Sequence, residues 1–143
     1  MAIRAVLDQV NVVVDDMDAM AAFYGRLGLD LDGGSAAWQP HHRSSTLEEG
    51  VHLDLDSPTF AATWNRGWTG GAGVVLGFRV PTRDEVDELY AELVAAGHPG
   101  QQAPDDAFWG ARYAVVTDPD GNAVGIMSPS EPTLRSRTPD PPQ

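Results

Sequence analysis

Residues 53–58 read Leu53-Asp54-Leu55-Asp56-Ser57-Pro58, and residues 124–129 read Val124-Gly125-Ile126-Met127-Ser128-Pro129. Both stretches alternate like a half-buried strand and both end on Ser-Pro. Each closes a longer phrase. Residues 6–56 and 73–127 read, in turn, as strand, helix and further strands. A shift of 66 (75 − 9) sets Gln9 on Val75, Val12 on Phe78, Val14 on Val80 and Tyr24 on Tyr90. The terminal strands align at 71 (125 − 54), which sets Asp54 on Gly125. A duplicated βαβββ unit is expected: an α+β fold with a curved mixed sheet, helices on its outer face and a cleft on the other.

Working outward, the first strand spans 6–15. Val10, Val12 and Val14 share one face, and Leu7, Gln9, Asn11 and Val13 the other. Asp15 or Asp16 caps the helix that follows, whose Met17, Met20, Ala21, Tyr24 and Leu27 recur at helical spacing up to Gly28. Gly33-Gly34 suggests a turn, followed by short strands over Ala36–Gln39 and His41–Leu47. Glu48-Glu49-Gly50 then turns the chain into Val51–Asp56. On that strand Val51, Leu53 and Leu55 oppose His52, Asp54 and Asp56. In the second copy, Leu76, Phe78 and Val80 form the apolar face of the first strand, with Val75, Gly77 and Arg79 opposite. Thr82-Arg83-Asp84-Glu85 is a capping box. The helix it opens carries Val86, Leu89, Tyr90, Leu93 and Val94 toward a core and stops at Gly97. Residues 98–111 read as loop and short strand. Arg112–Thr117 and Asn122–Met127 form a hairpin around Asp118-Pro119-Asp120-Gly121. The expected organisation is a first module at 1–57, a linker at 58–72 with a helical turn over Phe60–Trp64, a second module at 73–129 and a flexible Pro-rich tail at 130–143.

Composition narrows the function. The 143 residues carry a formal charge of −12 and no lysine or cysteine. Binding to a phosphate backbone is therefore not expected. Disulfides and thiolate metal sites are excluded. No apolar run reaches the length of a membrane span. Met1–Arg4 leads into the first strand without the apolar core of a signal peptide, so the expected location is cytoplasmic.

Three segments together resemble the vicinal oxygen chelate superfamily, which includes glyoxalase I, bleomycin-resistance proteins, fosfomycin-modifying enzymes and extradiol dioxygenases. They are Leu7-Asp8-Gln9-Val10-Asn11-Val12-Val13-Val14-Asp15, Ala22-Phe23-Tyr24 with Leu27-Gly28-Leu29, and the run from Trp109 through Arg112 to Asp118-Pro119-Asp120-Gly121-Asn122. The resemblance implies paired modules and a homodimer. It also implies a cleft site built from one residue on the first and one on the last strand of each module. In metal-dependent members these four positions hold His, Gln or Glu. Such an ion keeps open positions where two neighbouring substrate oxygens chelate.

Here the four positions are Gln9, Asp54, Val75 and Gly125. Val75 and Gly125 offer no ligand, and two protein donors are too few for a tight divalent site. No cofactor is expected. A rearranged metal set of Gln9, His52 and Asp54 is the alternative. The expected ligand-binding face comprises Gln9, Asn11, His52, Asp54 and Asp56, with Val75 and Gly125 leaving space and Arg79 pairing with the acids. His41-His42 reads as surface. Trp38, Phe108 and Trp109, with Trp64 and Trp68, either cover sheet ends or a dimer seam, or wall a pocket for a planar guest. The expected function is binding of a small organic molecule, cationic or aromatic, without a complete metal site, as in drug or metabolite sequestration. The alternative is an enzyme of the same superfamily, of lyase, isomerase or dioxygenase type, either metal-free or with the rearranged site. Its general base would be His52 or Asp54, and Arg79 or Arg112 would stabilise an oxyanion.

Overall fold

The computed structural model describes residues 3–27, 29–45, 50–70, 73–117, 119 and 121–142. The expected helix stop at Gly28 and the turn residues Glu48, Glu49, Asp118 and Asp120 lie outside the described residues. The elements follow in the order β1 (Val6–Val13), α1 (Met17–Arg26), β2 (Leu31–Asp32), β3 (His42–Ser45), β4 (His52–Asp56), α2 (Pro58–Trp64), β5 (Gly73–Arg79), α3 (Arg83–Ala95), β6 (Gly100–Asp106), β7 (Arg112–Thr117) and β8 (Ala123–Met127). The fold is mixed α+β. Among the described residues, no helix is long and apolar enough to cross a membrane. The chain divides into two units, Asp8–Val74 with Pro141–Gln143, and Met1–Leu7 with Val75–Asp140. Here they are called the first and second unit.

In the first unit the strands run β2-β3-β4-β1. β1 and β4 are parallel and the other neighbours antiparallel. Asp16 caps α1 by accepting the Ala19 N–H at 3.0 Å. Met17, Met20, Ala21 and Tyr24 then pack on Val12, Val14 and Leu55. Leu27, expected on that stripe, is 69% exposed, because it is the cap residue beyond the last helical turn. The strand expected over Ala36–Gln39 is instead a series of tight turns. The Ser35 carbonyl accepts from Trp38 and Gln39, and the Trp38 carbonyl accepts from His41 and His42. Asp32 starts this segment by accepting the Gly34 N–H, and Gly34 takes φ +70°. α2 falls within the expected linker. Ser57 caps it, and Phe60, Ala61 and Trp64 are buried.

The second unit has the order β5-β8-β7-β6, with β5 and β8 parallel. α3 lays Val86, Leu89, Tyr90 and Leu93 on Val80, Ala114, Val116 and Ile126. Val94 turns outward, at 43% exposed. Thr82 accepts the Glu85 N–H and its hydroxyl donates to the Glu85 carboxylate, so this capping box closes side chain to side chain. Gly97, at φ +100°, lets His98 N–H reach the Leu93 carbonyl and end the helix. Beyond β8, along the stretch expected as a flexible tail, Glu131 N–H donates to Gly110 and Ser136 N–H to Phe108.

The duplication extends to individual hydrogen bonds. Asn11 pairs with Asp54 across β1 and β4, and Gly77 with Gly125 across β5 and β8. Val14 N–H donates to the Asp56 carbonyl at 2.9 Å, and Val80 N–H to that of Met127 at 2.9 Å. Ser57 N–H donates to His41, and Ser128 N–H to Arg112. The same register places His42 of β3 and Tyr113 of β7 at equivalent positions.

Leu55 is fully buried, whereas Leu27 is not. Leu55→Ala should therefore cost about 2–5 kcal/mol in urea denaturation, and Leu27→Ala less than about 0.5 kcal/mol. Gly125 supplies a second test. A Cβ there would stand 2.7 Å from Tyr113 Oη and 3.0 Å from its ring. Gly125→Ala should destabilise by about 1–3 kcal/mol. Most of that cost should vanish in a Tyr113→Leu background, as a double-mutant cycle would measure.

Candidate functional site

The polar face of the first unit follows from strand alternation plus register. β1 turns Gln9 and Asn11 to the face opposite Val12, and β4 turns His52, Asp54 and Asp56 the same way. β3 adds His42 opposite Asp56 and Ser44 opposite Asp54. The resulting rows are Gln9 beside His52, then Asn11, Asp54 and Ser44, then Val13, Asp56 and His42.

These side chains hold one another. Gln9 Nε2 donates to Asn11 Oδ1 at 2.7 Å. Asn11 Nδ2 donates to Asp56 Oδ2, also at 2.7 Å. His42 Nδ1 meets Asp56 Oδ1 at 2.6 Å. Since a carboxylate only accepts, His42 Nδ1 carries the proton. Ser44 Oγ donates to Asp54 Oδ1 at 2.5 Å. Asp56 has no exposed surface, and Asp54 and Asn11 are buried. Both oxygens of Asp56 are thus engaged inside its own unit, although the sequence pattern pointed to Arg79 as its partner.

Burial shapes the titration of this face. It pushes the Asp54 carboxyl above the ordinary carboxylate range, against the bond from Ser44 and the nearby His42. For His42, burial works against the charged form. The bond to Asp56 and the charges of Asp56 and Asp54 outweigh it, so the imidazole sits above its ordinary value.

Gln9 Nε2 is bonded to Asn11 and Asp54 Oδ1 to Ser44. Among the described residues, no group of three His, Cys, Asp or Glu stands close enough to hold an ion. In the second unit Val75 is buried, and Tyr113 occupies the space over Gly125. That position therefore does not leave the room expected of it. The set Gln9, His52 and Asp54 shares one face of the sheet.

Besides the Phe23–Tyr24 pair on α1, each unit has an aromatic cluster among its described residues. Trp38 stacks edge-on against Phe60 at 5.0 Å and His41 at 6.5 Å, while His42 meets Phe60 at 5.5 Å. Phe108, Trp109 and Tyr113 form a chain at 5.2 and 5.3 Å. Trp38 and Trp109 are themselves equivalent at the shift of 71 (109 − 38). Arg79 is level with Met127 and Tyr113 in the sheet. Arg112 is on the opposite face, bonded to Asp87 of α3 at 3.0 Å and to Asp106 at 3.2 Å. Arg83 joins the same Asp106. Arg112 therefore ties β7 to α3 and β6 and is not placed to meet an oxyanion on the Tyr113 face. An open depression of about 570 Å³ lies at the start of α1, lined by Asp15, Asp16, Asp18, Gln39 and Arg43, with Arg43 pairing to Asp18 at 2.6 Å.

Sequence alternation found Gln9, Asn11, His52, Asp54 and Asp56. It missed His42, Ser44 and Tyr113. His42 was read as surface because adjacent strand residues point opposite ways. That rule holds, since His41 bonds Ser57 and His42 takes the polar face. The available signal was the 71-residue shift, which sets His42 on Tyr113 and Ser44 on Val115.

Comparison with known proteins accords with this architecture. A bleomycin resistance protein of Klebsiella pneumoniae is 29% identical over 126 residues, covering 82% of this chain and 87% of that protein. The NAD-dependent benzaldehyde dehydrogenase structure from Legionella pneumophila superposes with a TM-score of 0.61 at 20% identity, over 84% of this chain and 96% of that one. Methylmalonyl-CoA epimerase from Mycobacterium tuberculosis gives 0.58 at 19% identity, over 87% and 88%. At these identities the two structures speak for the fold alone. The family model of the Glyoxalase/Bleomycin resistance protein/Dioxygenase superfamily matches residues 6–126, and this chain belongs to that superfamily.

Proposed function

We propose that the polar face of the first unit binds a small organic molecule, cationic or aromatic, and that the protein sequesters it without a complete metal site, as a cytoplasmic homodimer. The observation that carries this reading is the pair of buried carboxylates, Asp54 and Asp56, held on one sheet face of a chain with net charge −12. Two acids in a partly desolvated setting attract a cation more strongly than they would in water. Half-buried Trp38, packed edge-on against the buried Phe60 beside His42, offers aromatic surface for stacking or cation–π contact. The likeness to a bleomycin resistance protein supports drug sequestration as the form this binding takes.

Calorimetric titration with metal-free bleomycin and with benzamidinium, an aromatic monocation, tests the reading. Asp54→Asn keeps the side-chain shape and a carbonyl oxygen for Ser44. It should lower affinity by about tenfold or more, as for a charge-assisted hydrogen bond of about 1.5–3 kcal/mol. Unchanged affinity would remove Asp54 from the site. Protein purified without chelator should carry far less than one Zn, Fe, Mn or Ni per chain by elemental analysis. A stoichiometric ion would contradict the metal-free part.

A further inference from the structure

Resting on the binding reading above, one feature of the polar face goes beyond it. The face already contains a titratable base beside its two acids. His42 Nδ1 is committed to Asp56 at 2.6 Å, and Asp56 is fixed from its other oxygen by Asn11. His42 Nε2 has no hydrogen-bond partner among the described residues. No buried side-chain nitrogen or oxygen in them lacks one. Asp54 is similar. Oδ1 takes the Ser44 hydroxyl, while Oδ2 has no hydrogen-bond partner among the described residues. The face thus presents this carboxylate oxygen beside a titratable imidazole.

The charged groups around His42 are few. β4 supplies Asp56 and Asp54, with His52 next along the strand. β1 supplies only the amides of Gln9 and Asn11. α2 supplies Phe60. Arg43 points to the other face and is paired with Asp18, and His41 is bonded to Ser57. Among the described residues of the first unit named here, a protonated His42 stands against two carboxylates and offsets one of their charges. A neutral imidazole offsets neither.

We infer that His42 is the specificity-determining residue of this face: its imidazolium is a built-in counter-ion of Asp54 and Asp56, and an organic cation bound at Asp54 replaces that charge, so that binding releases the His42 proton. Bond by bond, the ligand's N–H donates to Asp54 Oδ2, the Nε2 proton passes to solvent, and Nδ1–H stays on Asp56. The site therefore selects protonated amines, amidines and guanidines over neutral aromatics of the same shape. The upward displacement of His42 by its carboxylates agrees with this arrangement. The linkage sign follows. Cation binding favours neutral His42, so affinity rises with pH until His42 is deprotonated and is flat above that point.

The test uses the whole protein with benzamidinium, cationic throughout pH 6–8.5, and benzamide as its neutral counterpart. Below the His42 midpoint, benzamidinium affinity should climb by up to about tenfold per pH unit. Calorimetry in two buffers of different ionisation enthalpy should register a proton released on binding. Histidine NMR should show ligand-free His42 titrating above the ordinary 6.5 and shifting toward neutral when benzamidinium is added. His42→Gln keeps a donor for Asp56 but never charges. It should abolish the slope and bind benzamidinium more tightly than wild type at pH 6, a gain that loss of a merely structural contact would not give. Benzamide should show neither slope nor proton release. Binding that is flat with pH and releases no proton would overturn the role of His42 and leave the binding reading standing. No benzamidinium binding at any pH would overturn both.

Discussion

A carboxylate with no exposed surface cannot rely on water, so the chain must answer it, and Asp56 is answered from two other strands. Asn11 of β1 takes one oxygen and His42 of β3 the other. Asp56 itself is on β4 between them. Removing a carboxylate from water costs several kcal/mol that its partners must recover. The arrangement therefore contributes little net stability but is demanding about geometry. A slip of one residue along β4 would turn Asp56 into the layer where Leu55 packs under α1 and bring Leu55 out among amides. The buried acid and the buried leucine specify the same register from opposite faces.

The two units show what one backbone plan can do with different side chains. Where the first has Asn11, Asp54 and Ser44 in a row, the second has Gly77, Gly125 and Val115. Where the first has Asp56 and His42, the second has Met127 and Tyr113. Both rows are in register with the same backbone hydrogen bonds at their ends. The first half spends its face on a connected polar network, while the second fills the equivalent space with an aromatic ring over a glycine. The backbone bonds shared by both halves hold the strands in place, which leaves the side chains on this face free to diverge in chemistry.

How much of this was legible in the sequence depended on whether a feature was local. Strand alternation in 6–15 and 51–56, the Asp16 and Thr82 caps and the paired Ser-Pro endings are short-range signals, and the folded chain carries each of them. Features set by neighbouring strands were harder. His42 has no local mark that separates it from His41. Its role exists only because antiparallel pairing brings it opposite Asp56. Tyr113 sits in a run that reads as an ordinary core strand, and only its closeness to Gly125 shows that it fills a site position. Residues 36–39 look like a strand by composition, yet the Ser35 carbonyl captures two amides and winds the segment into turns. Leu27 and Val94 fit a helical stripe by spacing alone, but Leu27 is the cap beyond α1, and Val94 turns outward beside the packed Leu93.

Under the proposed reading, the same network bears on how this face would receive an organic cation rather than a metal ion. A divalent ion needs three or more anionic or neutral donors that converge with free lone pairs. Here the donors have already chosen partners: Gln9 has turned to Asn11, Asp54 has accepted Ser44, and both oxygens of Asp56 are taken. Drawing Asp56 toward an ion would break its two bonds and leave Asn11 and His42 without that acceptor in a buried setting. An ammonium or amidinium asks for much less. It needs one carboxylate oxygen, a nearby negative field and a flat surface to rest on, and it brings its own hydrogen-bond donors. Asp54 Oδ2 supplies the first, Asp56 adds to the second, and Trp38, packed against Phe60, supplies the third. The two bonds that hold Asp56 can remain intact while such a guest meets Asp54 as proposed.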